Sequence, residues 1–204
     1  MFRQLIFKKS IGGRNPPFFI TMNILTSNII YRAEKCRQII LNHLYEDYFK
    51  SSEFAKVVRD EYYHWVYYSG TKTNGYVSND VFLNKATSKK SSTKDHYLSP
   101  RIVISSIIEN NLHILNDKDS FCEVFNLCRD VVGVTREQND GVRFVNKNNK
   151  KFINELTIDK YDKYGPWWQV DSKKKVLGRS DEFPFKNKIP EWFTEYEKKL
   201  LFTH

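Results

Sequence analysis

Between Ile24 and Phe49 apolar side chains return at helical spacing, at Ile29, Ile30, Ala33, Cys36, Ile39, Ile40, Leu44 and Tyr48. That period predicts an amphipathic helix with one face turned to a core. Ser51-Ser52-Glu53 then supplies a cap for a second helix. Its apolar face is Phe54, Val57, Val58, Tyr62, Trp65 and Val66, and Gly70 stops it. Two helices with a short connector predict an antiparallel hairpin, packed as one helical lobe. The pattern is lost over Thr71–Lys94, where Ser, Thr and Asn accumulate. This stretch reads as loop, with one short strand or helical turn at Tyr76–Leu83.

Helical spacing resumes after Ser99-Pro100, an N-cap followed by proline at the first helical position. It runs through Ile104, Ile107, Ile108 and Leu112, and again through Phe121, Val124, Phe125 and Cys128. Val131–Val134 is short and β-branched and predicts a strand. Thr135 and Gln138 fit a capping box that opens a helix at about Arg136. A last helix starts at Ile189-Pro190-Glu191-Trp192 and runs to Leu201. The order through the middle of the chain is therefore strand end, two helices, strand, helix. Four segments emerge: a basic N-terminal arm (1–23), a helical hairpin lobe (24–70), an α+β core (71–156) and a basic, aromatic tail (157–204).

Charge narrows the class of partner. The 204 residues hold 33 Lys and Arg against 24 Asp and Glu, a balance of +9. An excess of this size favours polyanions, nucleic acid first and an anionic membrane surface second. The 12 tyrosines suit half-wet surfaces such as a nucleic-acid groove. Cys36, Cys122 and Cys128 form no Cys-x-x-Cys pair, which excludes a zinc ribbon. They read as buried, reduced thiols of a cytoplasmic protein. No apolar run reaches the ~20 residues needed to span a bilayer, so no membrane association is expected. The N-terminal apolar runs Leu5-Ile6-Phe7 and Phe18-Phe19-Ile20 are too short for a signal-peptide core.

One constellation offers specific chemistry. Asp95-His96 follows a basic Ser/Thr-rich stretch, and Val134-Thr135-Arg136-Glu137-Gln138-Asn139 lies downstream. A carboxylate and an amide carbonyl suit a hard divalent cation such as Mg²⁺. A neutral imidazole can serve as general base near pH 7. Asp95 and Asn139 would hold the metal and His96 would act on a water, with no other small-molecule cofactor. In a regular strand Asp95 and His96 would point to opposite faces, so they must sit at a strand end. The other histidines, His43, His64 and His113, lie in helical segments and read as packed or surface residues.

The segments Lys94-Asp95-His96-Tyr97-Leu98-Ser99-Pro100 and Val134–Asn139 resemble the HNH, or ββα-metal, endonucleases. The likeness covers Thr93–Arg143, about a quarter of the chain, and extends to neither flank. It implies an α+β fold in which the helical N-terminal lobe precedes a small ββα-metal core, with a helical insertion between its two strands. It also implies metal-dependent endonuclease activity on DNA, as in homing or restriction-type enzymes. By the same resemblance Asp95 is a metal ligand, His96 the general base and Asn139 the second ligand. The residue that orients the base has no counterpart near Val131–Thr135; Thr135 or a backbone carbonyl would take that role. Lys94, Arg101, Arg136, Arg143, Lys173, Lys174 and Lys175 are candidate phosphate contacts, and Trp168 a base-stacking residue. Two other classes remain open: a non-catalytic basic nucleic-acid-binding protein, and a structural or interaction protein.

Overall fold

The structure is a computed structural model that describes residues 27–44, 52–83, 92–139, 144–147 and 150–201. The first two helices form as their periodicity predicts, α1 over Ser27–Leu44 and α2 over Ser52–Tyr68. Gly70, with φ +82°, ends the second by turning through a left-handed conformation that suits glycine. There follow β1 (Lys72–Val77), α3 (Asn79–Leu83), β2 (Ser92–His96) and α4 (Pro100–Asn110). Next come α5 (Leu112–Asn116), α6 (Lys118–Leu127), β3 (Asp130–Thr135) and α7 (Arg136–Asn139). The chain ends with β4 (Phe144–Lys147), β5 (Lys150–Ile153), α8 (Thr157–Asp162), β6 (Trp167–Val170), β7 (Val176–Ser180) and α9 (Glu191–Leu200).

Five strands make a mixed sheet in the order β2-β3-β1-β6-β7. β1 runs parallel to β3, and the other neighbours are antiparallel. The architecture is α+β. Two features differ from the sequence reading. The polar stretch read as loop supplies β1, a strand hydrogen-bonded between two neighbours. Its bulge depends on Gly75, whose φ is +74° and where a Cβ would lie 2.6 Å from the Val170 carbonyl oxygen. The segment from 157 onward is also no appended tail, because β6 pairs with β1 and extends the same sheet. Its aromatics drive this: Trp167, Phe183 and Phe185 are buried with Tyr97 and Tyr161.

A helical core joins the lobe to the sheet. α1 buries Ile29, Ala33, Cys36 and Ile40, and α2 buries Val58, Tyr62 and Val66. They meet Ile102, Val103, Ile104 and Ile107 of α4 and Phe121 and Phe125 of α6 in one cluster that reaches Val132 and Val134 of β3. Tyr62 meets Phe121 and Phe125 edge-on. The three cysteines are free and buried there. The same core continues under the end of β2 as a group of aromatic rings. Tyr97 stacks on Phe185, and Tyr161 stacks on Phe183. This cluster fixes α8 beside the Asp95-His96 end of β2. Among the described residues no helix is long and apolar enough to cross a membrane.

Candidate functional site

β2 is an edge strand, paired antiparallel with β3 from Ser92↔Thr135 to His96↔Val131. Three helices, α4, α5 and α6, connect the two strands where two were expected. β3 runs directly into α7, and the capping box is present and reciprocal. The Thr135 N–H donates to Gln138 Oε1 at 3.0 Å, and the Gln138 N–H donates to Thr135 Oγ1 at 3.2 Å. Gln138 is buried and also accepts from Ser78 Oγ (2.7 Å) and donates to Asp80 Oδ2 (2.9 Å). These bonds lock α7, and with it Asn139, against the end of the strand pair.

Asp95, His96 and Asn139 line one cavity of about 390 Å³. Lys94, Arg101 and Tyr63 form its rim, and Thr157, Lys160 and Tyr161 of α8 close it from the other side. A larger cavity of about 590 Å³ lies over β1, β3 and β6, but it gathers no comparable set of reactive side chains.

His96 Nδ1 lies 2.6 Å from the Cys128 carbonyl oxygen. A carbonyl only accepts, so Nδ1 carries the proton and Nε2 keeps its lone pair. The carbonyl at the end of α6 thus does the orienting for which Thr135 was the other candidate. Burial pushes the imidazole below its ordinary value of 6.5, outweighing the opposing effects of the Cys128 carbonyl and Asp95. The ring is neutral at pH 7.

Asp95 is not alone. Its Oδ2 accepts from Lys160 Nζ at 2.6 Å and from the Tyr161 hydroxyl at 2.7 Å. The Lys160 side chain is only 4% exposed and that of Asp95 14%, so this ion pair is shielded from water. Sequence reading missed both partners. A lysine on a helix is expected to face solvent, and nothing local marks one that meets a carboxylate 65 residues away.

Glu197 of α9 is a buried acid. Its carboxylate accepts from Thr157 Oγ1 (2.5 Å) and the Thr157 N–H (3.2 Å), capping α8 where Leu156 offers no side-chain cap. Burial raises it to about 7, against the lowering effect of the two Thr157 bonds.

The candidate phosphate contacts separate. Lys94 and Arg101 stand at the cavity, Arg101 also bridging to Asp60 at 3.0 Å. Arg136 is exposed at the start of α7. Arg143 lies outside the described residues. Lys173, Lys174 and Lys175 are exposed in the β6–β7 turn. β7 is the opposite edge strand from β2, four strand spacings or about 19 Å across the sheet. Trp168 is a packing residue. Its ring stacks on Phe82 at 4.1 Å, its Nε1–H donates to Asn79 Oδ1, and Arg179 lies over it at 5.5 Å. Engaged in this way, the ring staples α3 to β6.

The oxygen donors of Asp95 and Asn139 suit Mg²⁺ in kind. Among the described residues no three or more His, Cys, Asp or Glu side chains gather as a metal site. Water and phosphate oxygens would have to complete the shell, which is the usual habit of Mg²⁺. No family model matches the chain, and no curated protein or solved structure matches it either.

Proposed function

We propose that the protein is a metal-dependent endonuclease that cleaves phosphodiester bonds in DNA, with a ββα-type centre at Asp95, His96 and Asn139. One observation carries this reading. A neutral histidine, with its Nδ1 proton committed to a backbone carbonyl, lines the same cavity as a carboxylate and an amide oxygen. That is the equipment that in-line attack of water on a phosphodiester needs.

In this mechanism the His96 Nε2 lone pair accepts a proton from the attacking water, while the Cys128 carbonyl holds the ring and favours the imidazolium that forms. Asp95 and Asn139 would hold a divalent cation, which when bound stabilises charge on the phosphoryl oxygens and the leaving oxygen. Arg101 and Lys94 at the rim bind the flanking phosphates. Lys160 lines the same cavity with its ammonium held on Asp95. Around Asp95 and Lys160, which are shielded from water, such interactions are stronger than in bulk solvent.

The test is nicking of supercoiled plasmid in Mg²⁺ and in EDTA by the wild type and by His96→Ala. Loss of a general base is typically worth about 10²–10⁴-fold. The variant should lose that much cleavage while binding DNA nearly as well. Equal activity of the two, or activity undiminished in EDTA, refutes the assignment.

A second reading has an observation in its favour. Lys160 already neutralises Asp95. A site whose carboxylate is satisfied by a lysine can serve a non-catalytic basic nucleic-acid-binding protein equally well. Binding without cleavage under every metal tested selects that reading.

A further inference from the structure

The rim of the cavity continues onto α2. Tyr63 forms part of the cavity wall, and the Arg101 guanidinium lies over its ring at 4.9 Å. One helical turn on, Tyr67 lies nearly parallel to Tyr63, with ring centroids 6.1 Å apart and planes inclined by 21°. Tyr68 meets Tyr67 edge-on at 5.5 Å. Tyr67 is 53% exposed and Tyr68 72%, so neither ring is held by the core. Cations flank both ends. Arg101 is at the cavity end. At the other end Arg32 donates to the Tyr68 carbonyl, and Arg129 donates to the Gly70 carbonyl.

We propose that this tyrosine face of α2 is a docking strip for an unpaired nucleic-acid strand, continuous with the strand whose phosphodiester enters the cavity. The inference rests on the proposed function and deepens it, because it names the substrate class: DNA with a single-stranded segment beside the cut.

Three observations favour this occupant. Aromatic faces flanked by guanidinium groups are the chemistry that binds single strands without reading sequence. Tyr67 and Tyr68 leave most of their surface to solvent, where unpaired bases can reach them. The strip also begins at the cavity wall, so a strand held there is already delivered to Asp95 and His96. Asp60 takes one edge of Arg101, but a guanidinium has five donors and this contact leaves others for phosphate.

The test is fluorescence anisotropy of a labelled oligothymidine and of a labelled duplex, in EDTA so that cleavage cannot intervene. The proteins are the wild type, Tyr67→Ala/Tyr68→Ala and Tyr67→Phe/Tyr68→Phe. Both rings are exposed, so the fold should survive, and melting temperatures check this. The wild type should prefer the single strand. The alanine pair should lose about tenfold or more in single-strand affinity, the loss expected when a stacked base loses its platform. The salt dependence should be unchanged, because stacking releases no counterions. The phenylalanine pair should restore binding. Single-strand affinity unchanged in the alanine pair, a preference for duplex, or no nucleic-acid binding at low salt overturns the strip; the last outcome would point to a protein partner. The two readings fail separately. Loss of single-strand binding in the alanine pair with no cleavage by any preparation leaves the strip standing and removes the nuclease. Cleavage that needs His96 but ignores Tyr67 and Tyr68 does the reverse.

Discussion

Glu197→Gln should make the protein more stable at pH 8, with a much smaller effect at pH 5. Glu197 is 1% exposed, and among the described residues its hydrogen-bond donors are the hydroxyl and N–H of Thr157. Burial therefore dominates and raises the carboxyl from an ordinary 4.5 to about 7, with Asp159 adding repulsion. The sign follows from proton counting. Between pH 4.5 and 7 the folded state keeps a proton that the unfolded chain has released. Stability is then fully present below about pH 4.5 and falls as pH rises through 7. The size is about 1.4 kcal/mol for each pH unit between the two values, or roughly 3 kcal/mol in all, as an upper bound. Glutamine keeps the volume and one acceptor oxygen for Thr157 but does not titrate. Urea unfolding of both proteins at half-unit steps from pH 5 to pH 8 measures the difference. Other titrating groups are common to the two curves and cancel. The wild-type curve should fall away from the variant's as pH rises. Parallel curves across this window would show that Glu197 carries no displaced proton equilibrium and would refute the reasoning.

Three further outcomes are expected. Lys160→Met should destabilise the metal-free protein, by about 3–5 kcal/mol if Asp95 is left buried and unpaired. Added Mg²⁺ or Mn²⁺ should then raise its melting temperature more than that of the wild type; no metal-dependent rise in either protein counts against Asp95 as a ligand. Gln138→Ala should cost about 2–4 kcal/mol in chemical denaturation, since it removes the bonds to Ser78, Asp80 and the Thr135 N–H at a buried position. Replacing Lys173, Lys174 and Lys175 together by Ala should leave plasmid nicking unchanged, because these side chains stand at the far edge of the sheet; a large loss of nicking would show that the β6–β7 turn reaches the substrate.

Local pattern made some of this molecule legible and hid the rest. The helices α1, α2, α4, α6 and α9 follow from apolar spacing because each buries one stripe against a common core. The capping box could be named from Thr135 and Gln138 because both partners lie within one turn. β1 was not visible, since Lys72–Val77 is polar and contains glycine, and its strand character comes from neighbours on both sides. β6 and β7 were hidden for a related reason: Trp167 and Trp168 read equally well as surface or core until their partners, Tyr161, Phe183 and Phe82, are known. At the site the sequence pointed to Asp95, His96 and Asn139 and missed Lys160, Tyr161 and Glu197. The three missed residues act through partners 40 or more positions away, beyond the reach of any period or motif.

The edge position of β2 resolves a difficulty that the dipeptide Asp95-His96 raises. Consecutive strand residues point to opposite faces, and in a central strand both faces would be covered by different layers. Among the described residues β2 has one neighbour, β3, and its pairing ends at His96. The His96 ring turns back to the end of α6 and is fixed there by the Cys128 carbonyl. Asp95 turns toward α8 and is fixed there by Lys160 and Tyr161. The cavity wraps around this open edge, so both side chains reach it. Moving the pair inward by one strand, or extending β2 beyond His96, would separate them. The aromatic cluster beneath α8 serves the same end, because it is the stacking of Tyr161 on Phe183 that keeps α8 at the edge of the sheet. A substitution at Phe183 is therefore expected to act on the site through Asp95, although Phe183 itself does not line the cavity.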